Sequence, residues 1–269
     1  MKTKLGFIGL GEMGFPMAKN LVKKGFPITV YDLDHEPLKQ LKAMGAETAS
    51  GPDAVAENSD LVMVIVRTTD QVRKVLFDDN GVVSADTTPS AVAVMSTISP
   101  VDAGEMAALA KEKNIEFLDA PVSGARERAE TGKLTIMVGG ERNAFQKFLP
   151  VFDTLGSKIV HVGGVGAGEY AKLINNMFLL VHMCAAYEAV SLAECAGMDP
   201  SEVFDIVKSG TGQSWVIDNW ETVHGWKKNY FEGGTLDLIY KDIDITLSIG
   251  EKKKIPLYLS SLSKQLGRY

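Results

Sequence analysis

Leu5-Gly6-Phe7-Ile8-Gly9-Leu10-Gly11-Glu12-Met13-Gly14 decides the fold of this chain. A short apolar run enters Gly9-x-Gly11-x-x-Gly14, and helical periodicity follows. In such a turn the first glycine permits the tight reversal and the second lets a pyrophosphate approach the backbone. The third lets helix and strand pack closely. The helix beyond offers unpaired N–H groups and partial positive charge to phosphates. Glycine is common, so the pattern alone is weak. Its context strengthens it: a strand before, a helix after, and an acid at the expected distance of about 20 residues. That acid is Asp32, in Val30-Tyr31-Asp32. The reading is a dinucleotide site formed by Gly9, Leu10, Gly11, Glu12, Met13, Gly14 and Asp32; its bland counterpart is an empty domain of the same fold. A carboxylate at Asp32 accepts both ribose hydroxyls of NAD and repels a 2′-phosphate. An NADP site usually has an Arg nearby, and Leu33, Asp34 and His35 supply none. NAD is therefore expected ahead of NADP.

Outward from this turn, apolar runs at 5–10, 28–31, 61–66, 92–95, 116–118, 134–138 and 159–162 alternate with helical patterns at 13–24, 36–44, 70–76, 100–113 and 142–155. Alternation of this kind predicts βαβ units and a largely parallel sheet. The runs lack polar alternation, which suits strands covered on both faces. Gly163, Gly164, Gly166 and Gly168 then crowd together, and the later segments read as helix at 169–196, 200–209, 236–250 and 256–266. The expected architecture is α/β: a Rossmann domain over 1–163, then an all-helical domain over 164–269 built on one long helix. At 1.5 Å per residue that helix is about 40 Å long.

Composition bounds the function. Apolar residues are 45% and charged residues 23% of the 269, with a net charge of −6, which suits a globular protein and gives no basic face for nucleic acid. Lys252-Lys253-Lys254 is the one basic run and reads as a solvated helix end. Cys184 and Cys195 fall on one predicted helix, about 16 Å apart, beyond disulfide reach. They lack metal-ligand spacing, so no metal is expected. No signal or transit segment is read at the N-terminus, and the apolar stretch 177–186 is shorter than a membrane span. A cytoplasmic location without membrane contact is the expectation.

Three segments carry unusual chemistry. Asp119-Ala120-Pro121-Val122-Ser123-Gly124-Ala125 closes a strand, and Ser123 with the following N–H groups is placed to hold a carboxylate, unless the segment is a plain turn. In Gly166–Asn176, Lys172 and Asn176 are four residues apart and share a helix face. That lysine either snorkels to solvent or is held in a cleft for use. Lys241-Asp242 reads by itself as surface decoration.

Together these segments resemble the β-hydroxyacid dehydrogenases, the 3-hydroxyisobutyrate dehydrogenase group related to 6-phosphogluconate dehydrogenase. The resemblance covers nearly the whole chain. It runs through the opening glycine turn, Met95-Ser96-Thr97-Ile98-Ser99-Pro100, Asp119 to Gly124, Gly132 to Gly140, Gly166 to Asn176, and Lys241-Asp242. It implies a hydride transfer between NAD and a small β-hydroxy acid, with Lys172 as acid/base and Asn176 orienting the substrate oxygen. It further implies that Ser123 and Gly124 bind the substrate carboxylate, that Thr97 lies by the nicotinamide side of the cofactor, and that Lys241 reaches cofactor and substrate. A homodimer or homotetramer is expected on the same ground. Two departures stand out. The family usually has a second glycine after Ser-Gly, where this chain has Ala125, and nearby Arg126 and Arg128 are candidates to assist an acidic substrate. Family members also run some tens of residues beyond the equivalent of Tyr269, so the helical domain is expected to be short at its C-terminus.

A free lysine titrates near 10.4, so base work at neutral pH asks for desolvation and a neighbouring cation. Lys241 is the candidate neighbour. The rival readings are a semialdehyde reductase acting on tartronate-, glyoxylate- or succinate-type aldehydes with the same residues, and a dinucleotide-binding scaffold without chemistry.

Overall fold

The structure, a computed structural model, describes residues 2–228 and 234–266. It divides into two compact units, 1–172 and 173–269. The strands of the first unit are β1 (Leu5–Ile8), β2 (Ile28–Tyr31), β3 (Glu47–Thr48), β4 (Leu61–Val64), β5 (Ala91–Val94), β6 (Glu116–Asp119), β7 (Val122–Ser123), β8 (Leu134–Gly139) and β9 (Gly156–Gly163). Its helices are α1 (Gly14–Lys23), α2 (His35–Ala43), α3 (Pro52–Ala56), α4 (Thr69–Phe77), α5 (Pro100–Glu112), α6 (Ala125–Glu130) and α7 (Arg142–Leu155), and α8 (Ala167–Cys195) crosses the unit boundary.

The sheet order is β3-β2-β1-β4-β5-β6-β8-β7, with β9 on β8. From β3 through β6 every pairing is parallel, as the alternating pattern predicts. The far edge departs from it: β8 runs antiparallel to β6 and β7, and β9 parallel to β8. The two-residue strands β3 and β7 are too short to show a periodicity, and the sequence pattern leaves them out.

Alternate residues of each central strand serve opposite cores. Leu5, Phe7, Leu61, Met63, Ala91 and Ala93 pack on one face with Leu21 of α1 and Phe148 and Phe152 of α7. Ile8, Val62, Val64, Val92 and Val94 pack on the other with Val72, Leu76 and Met106. Both sets are shielded from water, which is why the strands read as unbroken apolar runs. Each fully buried large side chain contributes about 1.5–3 kcal/mol.

The second unit holds the rest of α8 with α9 (Pro200–Ser209), α10 (Trp215–Asp218), α11 (Trp220–Lys228), α12 (Thr235–Lys253) and α13 (Tyr258–Leu266). α10 and α11 lie in a stretch where the sequence pattern places no helix. The core joins Leu180, Met183 and Ala186 of α8 to Phe204, Val216, Ile217, Val223, Leu236, Ile239 and Ile243. Trp220 packs edge-on against Tyr187 and Phe204. His224 stacks on Trp220, which places a histidine whose role the sequence leaves undefined. By length and composition α8 is apolar enough to cross a membrane, beyond what the short 177–186 run suggests. Its residues Leu180, Met183 and Ala186 lie in the core, while 22% of the apolar window is buried.

Candidate active site

The nucleotide turn sits where the sheet order reverses, between β1 and β4. Open α/β sheets bind ligands at such switch points, outside the carboxyl ends of the strands. Gly9 has φ +96°, and a Cβ there would lie 2.1 Å from the Ile65 carbonyl oxygen. A Cβ on Gly14 would lie 1.9 Å from the Gly9 oxygen. Gly11 is different: a Cβ there meets nothing within 4 Å. Two glycines are required by the fold, and the third leaves an open approach to the backbone. Met13, just before α1, provides no side-chain cap; in the first turn Phe15 N donates to Gly11 O at 3.0 Å and Pro16 has no N–H. Asp32 follows β2, one carboxylate oxygen accepting from Leu10 N and the other from Asp34 N at 2.8 Å. Asp34 in turn caps α2 through Glu36 N at 2.9 Å. The acid is thereby fixed beside the glycine turn. The open Gly11 and the anchored Asp32 fit a dinucleotide.

Thr97 lies in the loop after β5, half-buried, next to Ser96, whose hydroxyl accepts from Val66 N at 2.7 Å. Ser123 ends β7 and is half-buried. Gly124 follows with φ +136°, and a Cβ there would strike the Arg128 stem at 2.7 Å. Ala125 has φ +54°. The loop keeps a left-handed conformation at the position where the resembled family carries its second glycine, so the alanine bears backbone strain there. Arg126 is engaged on the exposed surface of α6 by Glu130 at 2.8 Å, while the Arg128 stem lies over Gly124.

Lys172 lies in the second turn of α8 and is half-buried. The first turn is held by two carboxylates that the sequence reading passed over. Asp119, the last residue of β6, is fully buried and accepts from Gly166 N at 2.8 Å and Glu169 N at 3.0 Å. Burial pushes its carboxyl up from the ordinary carboxylate range, and the N–H groups of Gly166 and Glu169 act against that rise. Glu169, also fully buried, accepts from Ile98 N at 3.1 Å. No sequence spacing reveals these bonds, because the partners are main-chain groups.

In the second unit Asn176 and Asp242 are both buried, and Asn176 Nδ2 donates to Asp242 Oδ2 at 2.6 Å. Lys241 Nζ reaches Asp242 Oδ1 at 2.8 Å. The view of Lys241-Asp242 as surface decoration is therefore wrong: Asp242 is 3% exposed and joins α12 to α8. Asn175 Nδ2 also donates to Asn176 Oδ1 at 3.0 Å, which orients the Asn176 amide. The first unit thus gathers the glycine turn, Asp32, Thr97, Ser123, Gly124 and Lys172. The second gathers Asn176 with Lys241 around Asp242. Among the described residues no cluster of His, Cys, Asp and Glu is arranged to hold a metal, and Cys184 and Cys195 are free thiols.

Comparison with known proteins gives these features a family. Residues 4–163 match the family model described as the NAD binding domain of 6-phosphogluconate dehydrogenase. Residues 166–269 match one described as NAD-binding of NADP-dependent 3-hydroxyisobutyrate dehydrogenase. The chain is 35% identical to 2-(hydroxymethyl)glutarate dehydrogenase of Eubacterium barkeri, over 98% of this chain and 87% of that one. It is 35% identical to the mitochondrial 3-hydroxyisobutyrate dehydrogenase of Mus musculus, over 99% and 82%. A solved structure of the Mycobacterium tuberculosis 3-hydroxyisobutyrate dehydrogenase with L-serine superposes with a TM-score of 0.85 at 31% identity, covering 98% of this chain and 92% of that one. A glycine turn built for a dinucleotide, followed by a helical unit of this kind, is shared along nearly the full length, and the chain belongs to the β-hydroxyacid dehydrogenase family of NAD-binding oxidoreductases.

Proposed function

We propose that this protein oxidises the primary alcohol of a small 2-substituted 3-hydroxypropanoate, with NAD as cofactor and Lys172 as acid/base. The observation that carries the reading is the placement of Lys172. It stands one turn beyond a helix start bonded to β6 and to the loop after β5, at the carboxyl edge where the Gly11 turn opens. Substrate class comes from the relatives. 2-(Hydroxymethyl)glutarate, 3-hydroxyisobutyrate and L-serine are all 3-hydroxypropanoates that differ in the group on C2. Ser123 and the N–H groups after it receive the carboxylate common to them.

NAD, when bound, supplies the hydride acceptor. As hydride leaves the carbinol carbon, the neutral Lys172 amine takes the hydroxyl proton, and the product is the aldehyde; in reduction Lys172 returns that proton to the carbonyl oxygen. Asn176, its amide oriented by Asp242 and Asn175, holds the substrate oxygen. Asp32 favours NAD, because its carboxylate accepts ribose hydroxyls and repels a 2′-phosphate.

Replacing Lys172 tests the reading. Loss of a positioned acid/base typically costs about 10²–10⁴-fold in rate. Lys172→Ala should lose at least about two orders of magnitude in kcat, bind NAD normally and melt near wild type. Lys172→Arg should fail nearly as badly, since guanidinium does not deprotonate at working pH. A Lys172→Ala enzyme that keeps about a tenth or more of wild-type kcat, with a deuteride isotope effect showing chemistry to be rate-limiting, would remove the lysine from the mechanism.

A further inference from the structure

We infer that Asp119 is a positioning residue that fixes Lys172 relative to the substrate-carboxylate loop, an inference that rests on the role of Lys172 proposed above. The first N–H groups of a helix have no partner inside it and must find one elsewhere. At the start of α8 the N–H groups of Gly166, the residue before the helix, and of Glu169 find both oxygens of one carboxylate, at 2.8 and 3.0 Å. That carboxylate belongs to the last residue of β6, and Ser123 follows four residues later in the same loop. One side chain therefore ties the turn below Lys172 to the strand end that leads into Ser123 and Gly124.

Two glycines make room for the carboxylate. A Cβ on Gly139 would lie 2.5 and 2.6 Å from the two Asp119 oxygens, and one on Gly168 would lie 2.9 Å from Oδ2 and 2.4 Å from the Met137 oxygen. The Glu169 side chain makes a second tie, to Ile98 N beside Thr97. Helix α8 is thus held at its first turn from two strand ends. A burial-only explanation does not require this arrangement: a fully buried acid costs stability unless its bonds repay it, and an apolar residue would fill the space without fixing the register of the helix.

The experiment compares wild type, Asp119→Asn and Lys172→Ala with NAD and 3-hydroxyisobutyrate. An asparagine keeps one acceptor but turns its NH2 toward one of the two N–H donors. Asp119→Asn should lower kcat by about 10- to 100-fold, the range expected for a small misplacement of a reacting group. KM and NAD affinity should stay within about twofold, because every group proposed to bind is retained. The deuteride isotope effect should rise as proton and hydride transfer become slower. Hydrogen exchange on the wild-type protein provides a measurement that needs no variant: the Gly166 and Glu169 amides should be protected like interior helix amides. Asp119→Asn at wild-type kcat beside an inactive Lys172→Ala overturns the anchor and leaves the lysine's role standing. So does a loss of active molecules with the rate per folded molecule and the isotope effect unchanged. Rapid exchange at Gly166 and Glu169 overturns it directly. Lys172→Ala at wild-type rate overturns both this inference and the reading it rests on.

Discussion

Each unit of this protein buries an aspartate, and the two are satisfied in opposite ways. Asp119 receives main-chain N–H groups from the start of α8. Asp242 receives side chains, Asn176 and Lys241. Main-chain donors are fixed in position by the helix and present whatever the side chain. Side-chain donors are chosen by residue type, and one of these carries charge. The first arrangement secures where a helix begins; the second holds two side chains in a chosen orientation. Removing a partner should therefore cost stability chiefly in the second unit.

The largest expected effect on stability comes from deleting the acceptor. Asp242→Ala leaves the buried Asn176 amide without its carboxylate and Lys241 without its counter-ion. Breaking a buried pair by removing one partner costs about 3–5 kcal/mol. The Lys241 side chain is 29% exposed, so partial solvation should place the loss near the lower end, about 3 kcal/mol. Denaturant unfolding checks this, and a loss below about 1 kcal/mol would show that water replaces the bonds readily.

Legibility in the sequence follows the same division. Lys172 and Asn176 stand out because four residues on a helix share a face. The Gly9 turn and Asp32 stand out because fold and ligand use fixed spacings. Asp119 and Glu169 leave no trace of that kind, since every residue brings a main-chain N–H. Asp242 meets Asn176 across 66 residues of chain, a distance without periodicity. Its pairing with Lys241 is hard to foresee, because adjacent helix residues point apart. Here the flexible lysine stem reaches the carboxylate nonetheless. The parallel part of the sheet was legible from its unbroken apolar runs, whereas β7 and the antiparallel entry of β8 depend on the turn at Ser123 and Gly124. The positive φ of Ala125 could not be foreseen from an alanine.

A smaller effect of opposite sign sharpens the comparison from the first unit, where backbone geometry dominates. Ala125 holds φ +54°, and a non-glycine residue in the left-handed region costs roughly 1–2 kcal/mol. Glycine relieves that strain and offsets part of the gain by greater freedom in the unfolded chain. Ala125→Gly should raise stability by about 0.5–1 kcal/mol without reducing turnover. Thermal unfolding and kcat on one preparation test both halves. A destabilised variant would mean that the methyl makes contacts outweighing the strain.

The smallest stability effect should come from Lys241, whose removal separates charge from geometry in the second unit. Lys241→Met keeps most of the apolar stem and removes the ammonium group. The pair it breaks is 2.8 Å long, but the lysine is 29% exposed. Asp242 itself is 5% exposed, but water can enter from the exposed lysine side and solvate its Oδ1, so removing the ammonium should cost about 0–1 kcal/mol and not the about 3–5 kcal/mol of a sealed pair. Asp242 keeps its bond from Asn176 at 2.6 Å. The melting temperature should therefore stay within about 3 °C of wild type, as expected for a change well under 1 kcal/mol in a chain of this size. Turnover should fall by much more than stability where Lys241 serves cofactor and substrate, the role the family resemblance implies. A double-mutant cycle with Asp242→Asn makes the distinction quantitative. Coupling within about 0.5 kcal/mol says the aspartate is held mainly by the Asn176 bond and that Lys241 is there for chemistry. Coupling above about 1.5 kcal/mol would say that charge holds the second unit's carboxylate, and would make Lys241 a stabilising group first.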